Sequence, residues 1–156
     1  MNDERCEHGI THALEEHQEI RQSNKDLLDY LDRPRPEVSA SESWEWAVSL
    51  QEKLTTLHAR VSRHFRAEEG EVLGKLRDKH PHAAGSLDAL LAEHGEMLKE
   101  LRSLIDAAMT YAEARQPADP CLRARTRRLL VAMSEHEAKE VNLIQELMFT
   151  DIGTGE

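Results

Sequence analysis

Aromatic side chains make up only 4% of this chain, and seven glycines and five prolines are all it has of the two strongest helix breakers. Ala, Leu, Glu, Lys and Arg fill the space they leave, so the composition favours helices and gives a sheet little to build on. No apolar run approaches the ~20 residues that cross a bilayer. Met1, Asn2, Asp3 and Glu4 read as acidic where a secretory leader is basic and then apolar. Basic charge is short as well: 20 Lys and Arg face 30 Asp and Glu, a formal net charge of −10. A nucleic-acid partner is therefore not expected, since such proteins neutralise phosphates with a basic surface, and an anionic membrane is disfavoured for the same reason. The expected compartment is the cytoplasm. Its reducing conditions, and the placement of Cys6 and Cys121 at opposite ends of the helical layout below, predict two separate thiols rather than a disulfide.

What the chain does have is helical rhythm. At 156 residues it fits one domain with a real core. Prolines interrupt the rhythm at Arg33-Pro34-Arg35-Pro36, at His80-Pro81-His82 and at Gln116-Pro117-Ala118-Asp119-Pro120. Three breaks predict four helices, over about residues 9–32, 42–79, 85–115 and 120–149, with a frayed tail at 150–156. Ser39 and Glu42 have capping-box spacing, and Asp119 before Pro120 is a favoured N-cap pair. Short connections make successive helices antiparallel, so the expected fold is all-α, an up-down-up-down antiparallel four-helix bundle.

It also has nine histidines, and their positions matter. Apolar residues spaced by three and four mark the face of each helix that turns to the core. Ile10, Leu14, Ile20 and Leu31 mark it on the first helix, and His17 and Asn24 fall on the same stripe. The second runs Leu50, Leu54, Leu57, Val61, Val72 and Leu76, with His64 and Glu68 among them. On the third, His94 lies between Leu87 and Leu101; on the fourth, His136 and Glu140 lie between Met133 and Leu147. Six titratable groups thus point inward. Burying one unpaired charge costs several kcal/mol, so six in one core require a common partner, and a pair of cations is the simplest. Counted from the breaks, Glu68 is 11 residues before its helix ends and His94 is 9 after the next begins, so the two are level. The first connection fits worse: His17 is 15 residues from its break and His64 is 22 beyond the next start, a difference that an overhanging second helix or a climbing loop must absorb.

His64 with Glu68 and His136 with Glu140 have i,i+4 spacing, which puts both side chains on one helix face. A carboxylate has two oxygens and can bridge two cations, whereas imidazole usually gives one nitrogen to one metal. Four terminal histidines and two bridging glutamates describe a dinuclear site. Mixed nitrogen and oxygen donors suit iron, with manganese or zinc as alternatives, and disfavour calcium and magnesium.

The stretch from Ile10-Thr11-His12 through Glu16-His17-Gln18-Glu19-Ile20 resembles the first helix of the hemerythrin-like family, the HHE cation-binding domain. His64-Phe65-Arg66-Ala67-Glu68-Glu69, Leu91-Ala92-Glu93-His94 and His136-Glu137-Ala138-Lys139-Glu140 resemble the motifs that follow it in that family. The likeness spans about Ile10 to Phe149. It implies His17 and His64 on one iron, His94 and His136 on the other, and Glu68 and Glu140 bridging, with an oxo or hydroxo group between the ions. Oxygen-carrying hemerythrins have a further histidine where this chain has Leu98, and a longer-spaced His and Asp pair where it has His136 and Glu140. Both departures point away from reversible oxygen carriage and toward open coordination positions.

The expected function is that of a non-haem di-iron protein that binds and reacts with or senses dioxygen, peroxide or nitric oxide, with catalase- or peroxidase-like turnover as its enzymatic form. A sensor would need a partner protein, since no output domain is apparent. The rival is a metal-binding storage or regulatory protein without turnover. His8, His12, His58, His80 and His82 are read as solvent or turn residues, outside the ligand set. Glu69 is read as solvated, with support of a ligand as its lesser role. Trp44, Trp46, Tyr30 and Tyr111 are expected to cap the core at the end away from the metals.

Overall fold

Apolar stripes of three-and-four spacing are buried here by helices alone; no strand occurs among the described residues. The structure is a computed structural model that describes residues 3–33, 40–114 and 120–153, and their side chains except at 3–10, 14, 40, 41, 120 and 151–153. The breaks at residues 34–36 and 116–119, Ser39 of the expected capping box, and the Asp119 cap lie outside these residues. So do the side chains of Cys6, His8, Ile10 and Leu14.

The chain runs α1 (Asp3–Asp32), α2 (Ala40–Glu68), a π-helical turn (Glu69–Leu73), α3 (Gly74–Lys79), a 3-10 turn (Pro81–Ala83), α4 (Ala84–Ala114) and α5 (Pro120–Gly153). Backbone angles stay right-handed helical at Glu68 and Gly74, so α2, the π turn and α3 form one rod. That rod ends at His80, whose φ of −123° and ψ of 71° lie outside the helical region, which a following proline disfavours. Two boundaries differ from the sequence reading. α1 begins at Asp3, and α5 continues through the stretch expected to fray as far as Gly153. There the Thr150 hydroxyl donates to the Glu146 carbonyl at 2.8 Å, one turn back along the helix.

The π turn was not expected. One extra residue per turn brings the Glu69 carbonyl oxygen toward Gly74, where an added Cβ would lie 3.0 Å from it. Glycine there leaves room for the wide turn. Gly74→Ala is accordingly expected to destabilise the fold by about 1–3 kcal/mol, as overpacking against fixed backbone does. Gly95→Ala, in mid-helix with nothing within 4 Å, should instead gain about 0.5–1 kcal/mol. Urea unfolding of the two variants side by side checks this, and equal gains at both positions would count against a glycine requirement.

Two apolar cores form. The larger gathers Ile20, Leu27, Leu31, Leu50, Leu54, Leu57, Val61, Met97, Leu101, Leu104, Leu129 and Met133, among others. The smaller gathers Ala13, Val72, Leu73, Leu76, Leu87, Ile144 and Leu147. On each rod the inward histidines and glutamates fall where one core gives way to the other, with Phe65 of the larger core set between His64 and Glu68. The polar groups therefore form a layer across the bundle, with hydrocarbon above and below.

Tyr30, two residues from the end of α1, donates to the Trp46 carbonyl at 3.4 Å, six residues into α2, and the two rings stack. α2 thus overhangs α1, which accounts for part of the uneven spacing of His17 and His64. Trp46 caps the large core as expected, and Tyr30 and Tyr111 pack against it. Trp44 does not: at 41% exposure it faces solvent.

Candidate metal centre

Helical spacing and neighbour packing bring all six expected residues together. His17 comes from α1, His64 and Glu68 from α2, His94 from α4, and His136 and Glu140 from α5; none is more than 4% exposed. Two trios result, His17 with His64 and Glu68, and His94 with His136 and Glu140, each offering ligand atoms within 4.8 Å of one another.

The carboxylates join the trios. Glu68 Oε1 lies 2.8 Å from His17 Nε2 and 2.9 Å from His64 Nε2, while its Oε2 is 3.8 Å from His94 Nε2. Glu140 mirrors this, with Oε2 at 3.2 Å from His136 Nε2 and 3.9 Å from His94 Nε2, and Oε1 at 3.6 Å from His17 Nε2. Each carboxylate thus presents one oxygen to each trio.

Hydrogen bonding leaves this layer incomplete. Glu68 Oε2, Glu140 Oε1 and His64 Nε2 are buried without a hydrogen-bond partner among the described residues, the last because its 2.9 Å approach to Glu68 is poorly aligned. His94 Nε2 and His136 Nε2 face each other at 3.0 Å, a distance two lone pairs tolerate only with a proton or cation between them. Buried polar groups are normally satisfied, and cations between the trios would satisfy all of these atoms. The donor set fits such a role. Burial pushes the His64 imidazole down, but the adjacent carboxylates of Glu68 and Glu16 outweigh it and raise its pKa. At His136, Glu140 and Glu93 likewise prevail over burial. The Glu140 carboxyl, which burial alone would raise, is held well below its ordinary value, chiefly by His136 and His94.

The model of the hemerythrin HHE cation binding domain matches residues 8–148. The chain belongs to this family. Neither a curated protein nor a solved structure matches it. No helix among the described residues is long and apolar enough to cross a membrane.

Around the six residues the hemerythrin-like domain has four more acidic side chains, three of which the sequence reading did not place. Glu16 Oε2 accepts from His64 Nδ1 at 2.7 Å, Glu69 Oε1 from His94 Nδ1 at 3.1 Å, and Glu93 Oε2 from His136 Nδ1 at 2.8 Å. Glu137 approaches His17 Nδ1, at 3.9 Å. Glu69 therefore takes the lesser of its two expected roles. An acceptor at Nδ1 holds the proton there and leaves the Nε2 lone pair pointing at the layer, the form a metal ligand requires. The signal was present: every ligand helix carries a glutamate beside an inward His or Glu, as Glu16-His17, Glu68-Glu69, Glu93-His94 and His136-Glu137. Phe65 stacks on the His94 ring at 3.7 Å between centroids and fixes its plane.

Among the described side chains, none of the remaining histidines reaches the two trios, though His12 Nδ1 lies 3.8 Å from Glu16 Oε1. His12 is exposed, His58 accepts from Arg102 Nε at 3.3 Å on the surface, and His80 and His82 meet edge to face in the turn after α3. Asn24 is buried, and its Oδ1 has no hydrogen-bond partner among the described residues. A cavity of about 20 Å³, measured as the space open to a water centre, adjoins the layer. Its lining combines His17, His64, His136, Glu137 and Glu140 with apolar side chains such as Ile20, Val61 and Phe65.

Proposed function

We propose that this domain holds two iron ions, one at His17, His64 and Glu68 and one at His94, His136 and Glu140, with Glu68 and Glu140 bridging. We further propose that it reacts with or senses dioxygen, peroxide or nitric oxide. The cavity carries this reading. It has room for at least one water-sized ligand beside the inward histidines. Its apolar lining residues limit water, and its polar ones include four of the six expected ligands, His17, His64, His136 and Glu140. The ions supply, when bound, Lewis acidity and electrons for a small oxygen or nitrogen ligand. The chain's own residues do the rest. Four histidines hold their lone pairs inward, two carboxylates keep negative charge between the cation positions, and the hydrocarbon on either side keeps the layer dry. Manganese or zinc is the alternative occupant.

The same reading takes the chain as one domain with up-down-up-down topology. Contacts between neighbouring rods support it, because residue numbers fall on one rod as they rise on the next. Glu16 meets His64 and Tyr30 meets Trp46 between α1 and α2. Arg77 meets Asp88, and His58 meets Arg102, between the second rod and α4. Glu93 meets His136, and Glu100 meets Arg125, between α4 and α5.

Metal analysis of protein purified without chelator is expected to find two irons per chain, with the optical band of a bridged ferric pair. The iron-loaded protein should consume hydrogen peroxide at least about tenfold faster than its His94→Ala variant. Equal and negligible rates in the two would instead favour a domain that stores cations or regulates a partner without turnover.

A further inference from the structure

We propose that the two cation positions differ in affinity, with the His94, His136 and Glu140 position tight and the His17, His64 and Glu68 position exchangeable. Arg21 sets the difference by holding Glu137 away from His17. This rests on the two-cation reading above. It concerns the residues behind the ligands rather than the ligands themselves.

In the first of these positions both histidines are oriented by carboxylates, His94 by Glu69 at 3.1 Å and His136 by Glu93 at 2.8 Å. In the second only His64 is, by Glu16 at 2.7 Å. Among the described residues His17 Nδ1 is buried without a hydrogen-bond partner, and Glu137 Oε1 stands 3.9 Å from it. That same oxygen accepts a short charge-assisted bond from Arg21 Nε. Arg21 is 57% exposed, so it draws the carboxylate toward solvent and away from the imidazole.

Glu93 shows the opposite arrangement. Lys139 Nζ binds its Oε1 at 2.8 Å while His136 Nδ1 binds its Oε2. One basic residue thus uses the oxygen that the histidine does not need, and the other takes the only oxygen within reach of the histidine. Lys139 steadies Glu93 on His136, and Arg21 competes with His17 for Glu137.

An imidazole whose outer N–H lacks a carboxylate is a weaker and less well oriented ligand, and loss of such a partner typically costs roughly 10–100-fold in metal affinity. Glu137 is therefore a positioning residue held out of position. Releasing it should strengthen the His17 ligand.

The test is titration of metal-free, full-length protein with Co²⁺, read by ligand-field absorbance and by calorimetry. Wild type is expected to bind two equivalents in two steps separated roughly 10–100-fold. Glu93→Gln should weaken the tight step alone. Arg21→Gln should strengthen the weak step alone by about tenfold, and that gain should vanish in Arg21→Gln/Glu137→Gln. Far-ultraviolet circular dichroism establishes that each variant is folded. Two equivalents bound in one step, or an Arg21→Gln isotherm that superposes on wild type, would overturn the proposal while leaving the dinuclear centre standing. Fewer than two equivalents in wild type would overturn both.

Discussion

Replacing the buried polar layer with hydrocarbon, by His→Leu at positions 17, 64, 94 and 136 and Glu→Met at 68 and 140, is expected to stabilise the metal-free protein by about 1–4 kcal/mol while abolishing cation binding. The six residues are at most 4% exposed and lie between two apolar cores. Their charges are stripped of water and only partly compensated by one another. Without cations, Glu68 Oε2, Glu140 Oε1 and His64 Nε2 have no hydrogen-bond partner among the described residues. Apolar side chains of similar volume remove that penalty and join the cores above and below. A single replacement behaves differently. Glu140→Leu alone leaves His136 without its inner carboxylate and should cost about 3–5 kcal/mol, because one partner of a buried pair has gone and the other remains. Urea unfolding in the presence of chelator, for wild type, Glu140→Leu and the sixfold variant, tests both signs. A sixfold variant less stable than metal-free wild type would show that this layer holds the fold together unaided. The expected order assigns the layer to function, at a cost in stability.

The helical architecture and the six-residue set were legible because a helix makes position readable. Residues three and four apart share a face, so His17, His64, Glu68, His94, His136 and Glu140 stood out as titratable groups on apolar stripes. The uneven levels of His17 and His64 were visible as a mismatch, and the overhang of α2 past Tyr30 accounts for part of it. The outer carboxylates were a different matter. Glu16, Glu69, Glu93 and Glu137 sit one residue away from an inward group, about 100° round the helix, where a glutamate normally meets solvent. Each serves, or in the case of Glu137 approaches, a histidine on a neighbouring rod. Which ones reach depends on how far each helix is rotated about its own axis, and a single stripe does not encode that. The π turn at Glu69–Leu73 escaped for a related reason. Val72 and Leu76 fit an ordinary α-helical stripe, and only the additional burial of Leu73 records the shift in register. Glu69 opens that turn and reaches His94, so local backbone widening and the orientation of that imidazole occur at the same place.

Chelating the cations should lower thermal stability by an amount that grows with pH. In the metal-free protein the pKa values of His64 and His136 are raised above 6.5 by their glutamate partners, against the opposing effect of burial. A group raised on folding stabilises the native state fully below its unfolded value, and that contribution is lost as pH rises through the folded one. Glu140 is lowered from 4.5, so its contribution is present above that value and is lost as pH falls through the depressed one. Together these three groups favour the metal-free fold most between pH 4.5 and 6.5. Cation binding has the opposite slope, since the cation must displace the protons on His64 and His136 and binds more tightly as pH rises past their pKa values. At a free cation concentration 1,000 times the dissociation constant, each site adds about 4 kcal/mol. Melting curves with and without cation should therefore lie close together at pH 5 and separate progressively toward pH 8. A separation that stays constant or narrows over that range would mean that protons and cations do not compete for the same imidazole nitrogens.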